Sequence, residues 1–247
     1  MVELERDSGI ARIFLNRPEK VNALDSRMLE ALATALERLQ QEPGLRVVVL
    51  AGRGKVFCGG ADVGELASLD QTSAPAFVAR VHRVCSAVRA LRLPVVARLH
   101  GAVIGAGLEI AAACDLRIAA QGTRFAMPEV RLGIPSVVEA ALLPRLMGSG
   151  RAAWLVLTGE AIDAERAYAW GLVEELCAEG ELDQATGRLV QSLLAGDARA
   201  LRLQKELLEL WDDAPLAASI DASLARFAEA YAGGVPPALR RHTISRA

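Results

Sequence analysis

A chain of 247 residues, 52% hydrophobic and 23% charged, carries enough apolar material for one large core, so one globular body with at most a small appendage is expected. A formal charge of −2, with Lys and Arg scattered along the chain, gives no footprint for nucleic acid or an anionic membrane surface. Four cysteines without a C-x-x-C pair and three histidines argue against zinc clusters and disulfide frameworks, and the acidic start MVELERDSG and interrupted apolar stretches argue against a signal peptide or bilayer span, which predicts a reducing, cytoplasmic location.

Residues 2–6 and 10–15 alternate around Asp7-Ser8-Gly9 and predict a hairpin. Met28, Leu32, Leu36 and Leu39 recur at helical spacing after Asp25-Ser26, either of which can cap that helix. Residues 46–51 read as a buried strand, followed by the glycine-rich loop GRGKVFCGGAD, a short helix from Asp62 and a longer one over 75–91. Residues 94–99 repeat the design of buried strand, glycine-bearing loop and helix. Two short strands follow at 116–119 and 123–126, and Ser136 is expected to open another helix. The recurring unit predicts an α/β spiral of stacked ββα turns over 1–181 rather than a doubly wound sheet, because no dinucleotide fingerprint is present. From Leu182 the pattern is helical only, which predicts a C-terminal helical region over 182–247.

Glu109 stands in the apolar segment GAGLEIAAACD, and at helical spacing its neighbours are Gly105, Ala106, Ala112 and Ala113, none of which can pair with it. A buried carboxylate without a partner costs several kcal/mol, so Glu109 either finds a distant partner or is kept for chemistry. Two loops offer unhindered backbone N–H groups, at Gly59 and Gly60 and at Gly105, Ala106 and Gly107. Such groups can be tight turns and packing sites, or, at helix starts, donors to an oxyanion. Glu129, in FAMPEVRLGIP, reads either as a loop salt bridge to Arg124 or Arg131 or as a second acid sharing one water with Glu109. Glu139 reads as a first-turn carboxylate favourable to a helix dipole, with a third acid as the alternative. Asp115 reads as a turn former and His100 as a packed loop residue.

The stretches LNRPEKVNALD, FCGGADVGEL, HGAVIGAGLEIAAACDLRIA, FAMPEVRLGI and TGEAIDAERAYAWGLVEEL, in order over residues 10–176, resemble the enoyl-CoA hydratase/isomerase, or crotonase, superfamily. The resemblance implies a ββα spiral, a C-terminal trimerisation region giving trimers or hexamers, and acyl-CoA substrates with coenzyme A as part of the substrate and no separate cofactor. It implies oxyanion donors at Gly59 and Ala106, catalytic acids at Glu109 and Glu129, and CoA contacts at Lys20, Val21, Asn22, Ala23, Gly60, Ala61 and Asp62. The activity implied is hydration of a trans-2-enoyl thioester, with Glu109 deprotonating water and Glu129 delivering the proton. A Δ3-to-Δ2 isomerase, and an inactive acyl-CoA-binding or RNA-binding member, are the alternatives. The chain departs from the family pattern at Ser136-Val137-Val138-Glu139, where a glycine-rich run is common, and in the tail ALRRHTISRA, which lacks the usual lysine-bearing end; with that tail, a CoA contact near Phe227 is left open.

Overall fold

The computed structural model describes residues 1–237 and 239; the rest of the tail ALRRHTISRA, and the reading attached to it, lie outside the described residues. β1 (Val2–Asp7) and β2 (Ile10–Leu15) form the expected antiparallel hairpin. The helix α1 (Ser26–Leu39) starts where the Asp25 side chain accepts the Met28 N–H at 2.8 Å, and it buries Met28, Leu32, Leu36 and Leu39 on one stripe. β3 (Val47–Gly52), α2 (Val63–Leu66), α3 (Ala74–Ala90) and β4 (Val95–Leu99) follow the sequence expectation closely. Next come β5 (Ala102–Ile104), α4 (Ala106–Ala113), β6 (Leu116–Ala120) and β7 (Arg124–Ala126). The remainder is α5 (Leu143–Met147), α6 (Ser149–Thr158), β8 (Ile162–Asp163), α7 (Ala164–Trp170), β9 (Glu175–Cys177), α8 (Leu182–Ala195), α9 (Ala198–Asp213) and α10 (Leu216–Ala230).

The strands sort into a six-stranded sheet, β1-β2-β3-β4-β6-β9, parallel except for the first pair, and a three-stranded sheet, β5-β7-β8. Bridges Leu24↔Ala61 and Cys58↔Val103 add two further contacts of the same kind. Each turn therefore lays one strand in the large sheet, passes through a short extended piece and returns by a helix. Side chains alternate across a strand, so Val48, Leu50, Val95 and Ala97 enter the core beneath α1 and α3, while Val47, Val49, Val96 and Ile118 form a second apolar layer with Leu182, Ala185 and Val190 of α8. Through that layer α8, which follows the expected boundary at 181/182, shares an apolar core with the strands of the spiral. The helix α9 is tied to the same body: buried Lys205 donates to the carbonyls of Val88 and Leu93 and to Asp115 Oδ2 at 2.8 Å, so Asp115 is an ion-pair partner as well as a junction residue.

Two local expectations fail. β5 falls where the sequence reads as a glycine-bearing loop, because Gly101 and Gly105 flank its three residues on either side. Ser136 opens no helix; a 3-10 turn begins at Val138, and the Ser136 hydroxyl is turned to Glu129 instead.

A buried arginine anchors the C-terminal end of α4. The Arg117 side chain, 3% exposed, donates to the carbonyls of Cys114 at 2.7 Å and Leu172 at 2.9 Å and pairs with Glu174. A cation at a helix C-terminus opposes the dipole, and here it also fills orphan carbonyls. We expect Arg117→Ala to lower stability by about 3 kcal/mol, the low end for a broken buried pair because Glu174 reaches solvent. Urea unfolding checks this.

Candidate active site

The first turn of α4 is the centre of the site. Gly105 precedes it at φ 52° and ψ −123°, a conformation that a residue with a Cβ resists, and a Cβ there would strike Glu129 Oε1. The Gly105 carbonyl accepts the N–H groups of Leu108 and Glu109, whereas the N–H groups of Ala106 and Gly107 have no acceptor among the described residues. Gly107 lets the helix approach the neighbouring loop, since its Cβ would stand 2.6 Å from Cys58 Cβ. The loop 58–61 therefore lies against the start of α4.

In that loop the structure corrects one assignment. The Gly59 N–H is already donated to the Val21 carbonyl at 2.8 Å and is not free to serve an oxyanion. Leu24 N–H bonds to Gly60 O and Asp62 N–H to Leu24 O, so the bridge to Leu24 does not use the Ala61 N–H, which has no acceptor among the described residues. Among the described residues the open donors are therefore Ala61 in this loop and, at the start of α4, Ala106 and Gly107, of which Ala106 is the first.

Glu109 is 5% exposed, one turn into α4. Its Oε1 accepts the Ala140 N–H at 3.2 Å, and no cation pairs with it among the described residues. Burial first, then the nearby charge of Glu129 and that of Glu139, push its pKa up to about 8 against the opposing Ala140 hydrogen bond. Glu129 opens a 3-10 turn, Glu129–Leu132, with Oε2 accepting the Ser136 hydroxyl at 2.8 Å and Oε1 lying over Gly105. The loop salt bridge to Arg131 is not made: Arg131 turns to Thr158 O and Glu160. The two acids that stand apart in sequence share one place. Gly105→Ala is expected to displace the Glu129 carboxylate and strain the backbone by about 1–3 kcal/mol, lowering both the melting temperature and turnover.

The family whose description is enoyl-CoA hydratase/isomerase matches residues 5–232. A crotonyl-CoA hydratase of Syntrophomonas wolfei is 34% identical over 204 residues, 82% of this chain and 78% of its own length. A putative enoyl-CoA hydratase/isomerase of Bacillus subtilis is 34% identical over 241 residues, 97% and 91% of the two chains. The crystal structure of an enoyl-CoA hydratase from Mycobacterium smegmatis superposes with a TM-score of 0.89 at 31% identity, covering 92% of this chain and 89% of that one. This chain belongs to the enoyl-CoA hydratase/isomerase family.

In this member of the family, the two segments expected to meet CoA are neighbours. Residues 20–24 run beside 59–62 through the Gly59, Leu24 and Asp62 hydrogen bonds already described. Lys20 and Val21 are exposed, Ala23 is half-buried, and Gly60 faces the Ile104 carbonyl. Asn22 is fully buried and structural: its amide donates to the carbonyls of Arg53, Val56 and Phe57, and its oxygen accepts the Arg17 N–H. These four bonds hold Val21 and Asn22 at φ 49° and 55°, left-handed positions that non-glycine residues avoid. Asp62 is also occupied, capping α2 at the Glu65 N–H and pairing with Arg17 at 2.8 Å, so its carboxylate is not presented to a ligand. Only backbone contacts remain open to Asn22 and Asp62.

The sequence did not single out Ser136, Ala140 or His82 for the site, yet they hold Glu129, Glu109 and Glu139 respectively. Ser136 and Ala140 fall seven and eleven positions after Glu129, a spacing without a regular period. Phe227, for which a CoA contact is left open by the sequence, is 68% exposed and packs on Tyr231 with ring centroids 5.4 Å apart.

Proposed function

We propose that this protein hydrates trans-2-enoyl-CoA thioesters to 3-hydroxyacyl-CoA. The single observation that carries the reading is a buried Glu109, with no cation partner among the described residues, within reach of the charge of Glu129, whose Oε1 lies over the Gly105 that opens a helix start with its first N–H free of acceptors. The thioester oxygen sits between the N–H groups of Ala61 and Ala106. There the positive end of α4 favours the negative charge that develops when the double bond is attacked. One water is held by the two acids. Its oxygen bonds to Cβ while it gives a proton to the ionised carboxylate. The enolate's Cα takes a proton from the protonated one, so the pair ends as it began, with one proton. In a coupled pair the proton belongs to both, so the division of acid and base between Glu109 and Glu129 is a property of the pair. Coenzyme A lies along residues 20–24 and 59–62, and the protein's own groups supply the chemistry.

Paired carboxylates favour hydration over double-bond migration, which needs only one group to carry a proton between Cα and Cγ. The relatives with the printed names crotonyl-CoA hydratase and short-chain-enoyl-CoA hydratase support the same choice. Loss of enoyl thioester absorbance with crotonyl- and hex-2-enoyl-CoA tests it. Hydration at more than ~10² times the rate of the Glu109→Gln variant is the expected result. Absorbance that appears instead from a 3-enoyl-CoA, with none lost from the 2-enoyl substrates, would make it an isomerase.

The reading extends to a homotrimer, alone or paired into a hexamer. α10 presents Leu216, Ile220, Leu224 and Phe227 to solvent at 55–77% exposure on one stripe, and Val130, Leu132, Ile134 and Val137 are exposed close to the site. Such contiguous apolar surface is uncommon on a monomer. Sedimentation gives the mass directly, and a monomeric species at micromolar concentration would count against assembly. The four free cysteines are all buried, which suits a reducing compartment such as the cytoplasm, and no described helix is long and apolar enough to cross a membrane.

A further inference from the structure

Among the described residues, Glu139 is the one buried acid that the hydration chemistry leaves unused. It is 8% exposed, and its two oxygens differ in what they meet. Oε1 meets His82 Nδ1 at 2.7 Å, and His82, whose side chain is 60% exposed, passes the contact on to the Ser86 hydroxyl at 3.3 Å. That side opens on a cleft of about 700 Å³ bounded by α3, α9 and the 138–145 segment. Oε2 is closed off from solvent and accepts no well-formed hydrogen bond among the described residues. The Cys85 thiol, a weak donor, lies within reach of the Glu139 carboxylate, the charge of Glu139 raises the pKa of both Cys85 and Glu109, and the amide of the next residue, Ala140, is the one that holds Glu109.

A bare carboxylate oxygen in an enclosed site is costly, and a fold keeps one where a donor arrives from outside. The backbone is forced to keep it there. Val138, β-branched, stands at φ 40° and turns the chain so that the next side chain enters the interior. The strain lies beside Glu109, where the acyl chain continues past the reacting carbons on the acyl-CoA reading above, and this inference rests on that reading.

We propose that Glu139 is a specificity-determining residue whose inner oxygen accepts a hydrogen bond from a hydroxyl on the acyl chain, so that the site selects hydroxylated acyl thioesters over plain hydrocarbon ones. A hydrocarbon chain leaves Oε2 unpaired and dry; a hydroxyl satisfies it. Sites built to hydrogen-bond a hydroxyl discriminate strongly against the analogue without one.

Binding of unreactive saturated thioesters tests the proposal without turnover. Calorimetric titration of the full-length protein with hexanoyl-CoA and with 4-, 5- and 6-hydroxyhexanoyl-CoA should show at least one hydroxylated ligand bound more than ~10-fold tighter than hexanoyl-CoA. Glu139→Leu should bring that ratio close to one without weakening hexanoyl-CoA. Glu139→Gln, which keeps the shape and one acceptor oxygen, should retain a reduced preference, and it decides the matter if the Leu variant does not fold. Equal binding of all four ligands by the wild type, an unchanged ratio in either variant, or uniform weakening of all four overturns the proposal. Hydration of hex-2-enoyl-CoA without hydroxyl preference ends this inference alone, whereas failure to bind any CoA thioester ends the acyl-CoA reading with it.

Discussion

Glu109→Gln is expected to lower kcat for enoyl thioester hydration by about 10²–10⁴-fold while leaving KM within a few-fold. The split follows from where the groups sit. On the proposed reading CoA lies along residues 20–24 and 59–62 and the thioester oxygen meets Ala61 and Ala106, so the amide at 109 removes proton transfer and little of the binding. Glutamine retains an acceptor for the Ala140 N–H, and the local fold should persist. The pH profile carries the same signature. Because Glu109 gives up its proton near pH 8, the one-proton form of the pair is lost above that value, and wild-type kcat/KM should fall as pH rises through about 8.

Stability should respond in step. A carboxyl raised from 4.5 to about 8 on folding binds more protons in the native state than in the unfolded chain throughout that interval. Native stability therefore declines as pH rises from about 4.5 to 8, and Glu109→Gln should remove that slope and exceed the wild type by a few kcal/mol, on the order of the shift, above pH 8. Urea unfolding at pH 5 and pH 8.5 distinguishes this from a merely structural glutamate, whose loss would destabilise at both. A gain in stability with a loss of rate is the mark of a charge kept for chemistry.

How far this was legible in the sequence depends on the range of each interaction. The strand at 46–51 and the stripe Met28, Leu32, Leu36, Leu39 declared themselves because period and burial are local properties. Glu109 stood out for a related reason: an unpaired acid in an alanine-rich helix is anomalous before any fold is known. Its partner Glu129 needed the family pattern, since nothing within ten residues says that a loop acid returns to α4. The resemblance puts the donor of the 57–62 loop at Gly59, one of two adjacent glycines whose N–H groups look unhindered in the sequence. Backbone direction decides which N–H is free, and the Val21 carbonyl, placed by the buried Asn22, claims that of Gly59. Glu139 read as a dipole acid because its helix was expected to begin at Ser136; the actual turn at Val138 drives it inward, a consequence of one backbone angle that no composition reveals.

Ala106→Pro is the second substitution with a large expected effect, about 10²–10³-fold in kcat, the loss that follows removal of one oxyanion donor. Proline at the first position of a helix is tolerated, since the missing N–H makes no intrahelical bond there and the fixed φ is helical. Here the Ala106 N–H has no acceptor within the described residues, and the bonds that build the first turn, Leu108 and Glu109 to the Gly105 carbonyl, do not involve it. The variant should thus unfold within about 1 kcal/mol of the wild type, with Glu109 and Glu129 still in place. Ala106→Ser, which keeps the N–H at the same position, should hydrate at close to the wild-type rate and separates loss of the donor from a change of side chain. The Gly59 N–H cannot stand in for the lost group while it is bound to Val21, so full activity in the proline variant would mean that the enolate charge is held somewhere other than the start of α4.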